Sequence, residues 1–112
     1  MIRKKLAGEE LIVSLYGVKK LNCLFAEQVG AELKKLLKEN SQDLLFDLSD
    51  IRFIDSAGFS MLKEVNEAAG NFSVRFMLCN ISEEVNELLD LVELKDYFVS
   101  CKREIVEKVL AD

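Results

Sequence analysis

Two residues offer chemistry in this chain, Asp55 and Ser56, in the stretch Phe53-Ile54-Asp55-Ser56-Ala57-Gly58-Phe59. They stand just ahead of apolar residues at helical spacing: Phe59, Leu62, Val65 and Ala69. Asp and Ser are effective N-cap types, because their oxygens accept hydrogen bonds from unpaired backbone N–H groups. A serine here is expected to be exposed, beside those N–H groups and the positive end of the helix dipole. Gly58 lets the first turn be approached closely. The chemistry this suits is acceptance of a phosphate on Ser56. A Ser-His-Asp or Cys-His catalytic arrangement is excluded, since the chain has no histidine. No glycines are arranged as GxxxxGK[ST] or GxGxxG. Cys23, Cys79 and Cys101 are widely spaced and show no CxxC pairing, so they read as buried or incidental thiols of a reducing compartment. No metal and no cofactor is expected.

The elements that must position Ser56 follow from periodicity. Residues 2–7 suggest an edge strand, and Gly8-Glu9-Glu10 a turn into a second strand over 11–16. In that strand Leu11, Val13 and Leu15 share one face, and Ile12, Ser14 and Tyr16 the other. Asn22 is the expected cap of a helix running to about residue 39, with Phe25, Val29, Leu33 and Leu36 as its stripe. Residues 43–48 are almost continuously apolar, which predicts a strand buried on both faces. The helix after Ser56 should end at Gly70-Asn71. A strand over 73–79 follows, then a helix capped by Ser82, a short strand over 97–99 and a closing helix over 103–110. Strands alternating with helices predict an α/β fold: a mixed sheet, mostly parallel with an antiparallel N-terminal edge, packed by about four helices.

Composition narrows the class. The 112 residues suit a single domain spanning 1–112, with 50% hydrophobic and 31% charged residues. No apolar run approaches the roughly 20 residues of a membrane span. No secretory signal is apparent behind the basic N-terminus, so a cytoplasmic protein is expected. The net charge of −5 argues against nucleic acid as the main partner.

The order of elements, and the segment from Phe46-Asp47-Leu48-Ser49-Asp50 through Phe53-Ile54-Asp55-Ser56-Ala57-Gly58, resemble the STAS domain. More narrowly, the chain is similar to the stand-alone bacterial anti-sigma factor antagonists, from about Leu11 to Leu110. The resemblance implies partner switching rather than enzymatic activity. The unphosphorylated antagonist would bind an anti-sigma factor that is also a GHKL-type serine kinase, releasing the sigma factor. Phosphorylation at the position of Ser56 would break that complex, and a serine phosphatase would restore it. The chain departs from the family pattern at Ala57, where many members carry a second hydroxyl residue. It departs again at Phe59, usually aliphatic, and at Gly17-Val18-Lys19-Lys20-Leu21-Asn22, which is longer than usual and has Asn in place of Asp.

A physical account of such a switch needs no family. If Ile54, Phe59 and Met61 are exposed around Ser56, they form an apolar patch suited to a partner. A phosphate adds about −1.5 to −2 charge. It would join Asp50 and Asp55, so a docked partner would be repelled while the fold is kept. Plainer readings compete. Asp55 and Ser56 could only cap the helix, and Asp47 could only bond loop amides. Ser49 could be a turn residue, Ser60 a solvent-facing one, and Phe59 a core filler. Two rival functions compete with partner switching. A receiver domain needs an acidic pair just after its first buried strand, whereas Glu9-Glu10 come before it. A STAS-like accessory module would bind an ATPase or transporter subunit with Ser56 unmodified. A monomer is expected, since no long coiled coil appears.

Overall fold

In the computed structural model, the structure describes residues 2–101. The elements are β1 (Ile2–Ala7), β2 (Glu10–Leu15), β3 (Lys20–Leu21), α1 (Ala26–Glu39), β4 (Asp43–Asp47), β5 (Phe53–Ile54), α2 (Ser56–Asn71), β6 (Phe76–Cys79), α3 (Glu83–Leu91) and β7 (Val99–Cys101). The closing helix expected over 103–110 lies outside the described residues, so three helices are seen where about four were expected.

The main sheet has the order β1-β2-β4-β6-β7. The β1–β2 pair is antiparallel, and every later pair is parallel. From β2 onward each new strand is added on the same side of the last. Right-handed crossovers then all fall on one face of the sheet. Accordingly α1, α2 and α3 share one core with Leu11, Val13, Leu15, Leu44, Phe46, Phe76 and Leu78. The alternate residues Ile12, Leu45, Met77, Cys79 and Cys101 form a second buried cluster on the opposite face. The period-2 reading of β2 and the two-sided burial of β4 are both observed. Among the described residues the strand order does not reverse beyond β2, so the parallel strands there form no switch point of the doubly wound kind.

Three local readings are corrected. Asn22 does not cap α1; its Oδ1 accepts from Leu24 N at 3.0 Å and its carbonyl accepts from Phe25 N and Ala26 N. A turn over 22–25 therefore precedes the helix, whose N-cap position is Phe25, without a side-chain cap. α2 ends at Asn71 as expected, but glycine does not make the closure: Gly70 stays inside the helix, and Ser73 takes the left-handed conformation at φ 57°. Ser73 N donates to the Gly70 carbonyl and Val74 N to the Ala69 carbonyl, which is a Schellman closure without glycine. Glu93, at φ 59°, closes α3 in the same way. Finally, a second sheet was not foreseen: β3 and β5 pair in parallel, Lys20 with Phe53 and Leu21 with Ile54.

Candidate functional site

The two-stranded sheet is what presents Ser56. Arg52 N and Phe53 N donate to the Lys19 carbonyl at 2.7 and 3.3 Å, and Asp55 N donates to the Leu21 carbonyl at 3.3 Å. On the other side of the loop, Ser82 Oγ donates to the Ile51 carbonyl at 2.8 Å while accepting from Val85 N as the cap of α3. Leu48 N donates to the Cys79 carbonyl at 2.9 Å, so the loop after β4 is tied at its base as well.

Asp55 is the N-cap of α2 and a cross-link. Its Oδ1 accepts from Gly58 N at 2.9 Å; its Oδ2 accepts from Cys23 N at 3.0 Å. One carboxylate thus caps α2 and holds the 22–25 turn against it. Gly58 is buried, and a Cβ there would run into the Leu21 carbonyl oxygen and Ile54 Cγ2. Leu21 and Gly58 are thereby in backbone-to-backbone contact, which explains the glycine.

Ser56 follows as the first residue of α2 and is exposed. Its hydroxyl makes no hydrogen bond among the described residues. The amides of Ser56 and Ala57 are likewise unpaired there, as the start of a helix dictates. A phosphate on Ser56 would meet those donors and the positive end of the helix dipole.

The apolar patch expected around Ser56 is not formed by Ile54, Phe59 and Met61. Their exposures are 1%, 5% and 4%, and all three belong to the main core. The reason is geometric. Ile54 faces the interior from β5, and Phe59 and Met61 lie on the buried side of α2. Exposed apolar surface is supplied instead by Leu24, 77% exposed, in the turn that Asp55 holds. Cys23 is also exposed, whereas Cys79 and Cys101 are buried. Ala57 is half-buried and, with Cys23, Gly30, Ser60 and Met61, lines a groove of about 510 Å³ between α1 and α2. Asp50 is exposed and faces a different groove, shared with Lys19, Lys20 and Arg52. Asp47 is 4% exposed and accepts from Ser49 N and Asn80 Nδ2, the structural role that was the plainer reading.

Sequence reasoning missed Leu24 and the Lys19-Lys20 pair as parts of this region. A signal for Leu24 existed: it falls outside the stripe that begins at Phe25. Nothing local signalled that Cys23 would be bonded across 32 positions to Asp55.

The STAS domain family matches residues 4–109. This chain belongs to the STAS domain family. Its fold is similar to that of an anti-sigma factor antagonist STAS domain protein from Planctomyces limnophilus, with a TM-score of 0.81 and 16% identity over 99% of this chain and 98% of that one. It is also similar to the anti-sigma factor antagonist SpoIIAA in its unphosphorylated form, with a TM-score of 0.73 and 16% identity over 100% and 98% of the two chains. The phosphorylated form of the Bacillus protein gives a TM-score of 0.66 at 15% identity, over 98% and 99%. The murine anion transporter Slc26a9 matches at a TM-score of 0.70 and 16% identity, over 96% of this chain and 19% of that one. No curated protein sequence matches. At these identities the structural likeness is one of fold, and folds host many functions. No helix among the described residues is long and apolar enough to cross a membrane.

Proposed function

We propose that this STAS domain is a stand-alone anti-sigma factor antagonist that switches partners through phosphorylation of Ser56, and that it is not itself an enzyme. The observation that carries the reading is the division of labour between Asp55 and Ser56. Asp55 spends both carboxylate oxygens on the frame, on Gly58 N and Cys23 N. Ser56 is left exposed and is not needed for the cap. A hydroxyl that only capped the helix would be engaged with a backbone amide. This one is presented to solvent on a loop tied by the Lys19 and Leu21 carbonyls, beside the turn that carries Leu24.

Unphosphorylated, this surface offers the exposed Leu24 and the half-buried Ala57 at the α1–α2 groove, suited to a protein partner, here an anti-sigma factor with serine kinase activity. A phosphate adds about −1.5 to −2 charge in the middle of it. Burying that charge against a partner without matching cations is strongly unfavourable. Losing roughly 3–4 kcal/mol of interface energy weakens binding by two to three orders of magnitude. The fold need not change, because a helix N-terminus accommodates the anion. A phosphatase resets the state.

The test is partner capture from the native lysate with wild type, Ser56→Asp and Ser56→Ala proteins, followed by incubation of captured material with ATP. Wild type and Ser56→Ala should retain a serine kinase that Ser56→Asp loses, and only wild type should gain phosphate. If all three forms hold the same ATPase or transporter subunit and none is phosphorylated, the accessory-module reading replaces this one.

A further inference from the structure

A groove of about 760 Å³ opens beside the two-stranded sheet, lined by Lys19, Lys20, Asn22, Phe25, Asp50 and Arg52 among others. Three exposed cations border it in a chain whose net charge is −5. Their backbones are fixed relative to one another. Lys20 pairs with Phe53 across the sheet, and the Lys19 carbonyl accepts from Arg52 N. Among the described residues, Lys19 and Lys20 have no carboxylate within ion-pair distance. Arg52 has only Glu84, at 3.8 Å and with both side chains about half exposed. The lysines of α1 contrast with this. Lys34 pairs with Glu64, and acids at Glu27, Glu32 and Glu39 are interspersed with the basic residues. Lys19 and Lys20, held side by side without ion pairs among the described residues, outweigh the single acid on the rim, Asp50, and make a local positive potential that favours an anionic ligand. Phe25, half-buried, supplies an apolar wall.

We propose that this groove docks an acidic, leucine-containing segment of the protein partner that binds the Ser56 surface. The inference rests on the partner-switching reading and names the chemistry by which that partner is recognised. A polypeptide fits better than a small phosphate compound. The backbone donors that would cradle a phosphate, Arg52 N and Phe53 N, are already engaged by the Lys19 carbonyl, and Asp50 adds a negative charge to the rim. Nucleic acid is disfavoured because the basic surface is one groove on an acidic chain. Position supports the same occupant. Asn22 lines this groove, the next residue, Cys23, lines the α1–α2 groove, and Cys23 N is bonded to Asp55. A partner seated over Ser56 spans the junction of the two grooves. The charged groove then contributes steering and selectivity, while Ser56 controls release.

The test is an NMR titration of the full, isotope-labelled chain with a short glutamate-rich peptide containing leucine. Its glutamine counterpart and ATP serve as comparison ligands. The glutamate peptide should give saturable shifts centred on the amides of Lys19, Lys20, Asn22 and Arg52. Binding should fall about tenfold in the Lys19→Glu/Lys20→Glu variant or at about 0.5 M salt, and the glutamine peptide should be inert. These positions are exposed, so the variant should keep the native spectrum; Arg52→Gln provides an independent second variant. Three results would overturn the proposal: shifts centred on Lys34, Lys35 and Lys38, the same map produced more tightly by ATP than by the peptide, or no shift at all. The titration involves neither a kinase nor Ser56 chemistry. Its failure therefore leaves the Ser56 experiment standing, and failure of that experiment leaves a mapped groove.

Discussion

The five-stranded sheet, parallel from β2 onward, and the parallel two-stranded sheet are held by different forces. The larger sheet is an apolar assembly. Leu44, Leu45 and Phe46 of β4 are each at most 1% exposed, and Phe46 meets Phe76 with ring centroids 6.3 Å apart. Stabilisation there is spread over many side chains, each worth roughly 1.5–3 kcal/mol of burial. The smaller sheet has only two residues per strand. Leu21 and Ile54 anchor it inward. Its shape is set by a handful of backbone bonds, by the Asp55 carboxylate and by the missing side chain at Gly58. The large sheet makes the domain stable, and the small one aims Ser56. A defect in the first should be felt globally, and a defect in the second locally.

Substitutions can break that distinction. The largest effect is expected for Phe46→Ala, which empties the centre of the main core. It should cost about 3–5 kcal/mol in urea unfolding, with an unchanged m-value. Gly58→Ala should come next. Alanine is the better helix former by up to about 1 kcal/mol. At this position, however, the new methyl meets the Leu21 carbonyl, which cannot swing aside as a side chain would. Net destabilisation of about 1–3 kcal/mol is expected, together with a loss of partner binding greater than that stability loss explains. Gly70→Ala is the matching control. It has no heavy atom near the new Cβ and should instead stabilise by about 0.4–1 kcal/mol. Equal effects at the two glycines would show that helix propensity, not the Leu21 contact, governs Gly58. The smallest destabilisation is expected for Asp55→Ala, which removes the cap and the tie to Cys23. It should cost about 0.5–2 kcal/mol. In hydrogen exchange the Gly58 and Cys23 amides should lose protection while those of β4 and β6 keep theirs. Uniform loss across the main sheet would mean that the two regions are not separable.

The elements legible from the chain were those whose burial repeats at a fixed period. Val29, Leu33 and Leu36 of α1 and Phe59, Leu62, Val65 and Ala69 of α2 are buried as their spacing predicts. Ser82 caps α3 as its type suggests. What was not legible has a common cause. Two-residue strands are too short to show a period, so β3 and β5 went unseen. The start of α1 was misplaced because a backbone turn over 22–25, not a side-chain cap, leads into it, and the closing residues of α2 and α3 carry no glycine signature. Ser73 and Glu93 take left-handed positions that glycine usually occupies, while Gly70 stays inside its helix.

The sequence by itself determined that Asp55 caps a helix, that Ser56 stands exposed beside it, and that the sheet is mixed with one antiparallel edge. These follow from residue type and local spacing, which act within a few positions along the chain. Only the tertiary structure decided which side chains surround the serine. Ile54, Phe59 and Met61 are neighbours of Ser56 in sequence but turn into the core. Cys23, Leu24, Lys19 and Lys20 come from more than thirty positions away, and the parallel pairing of β3 with β5 brings their backbone alongside the loop. Burial depends on what packs from elsewhere, so the composition of a surface is a property of the fold and not of any single stretch of chain.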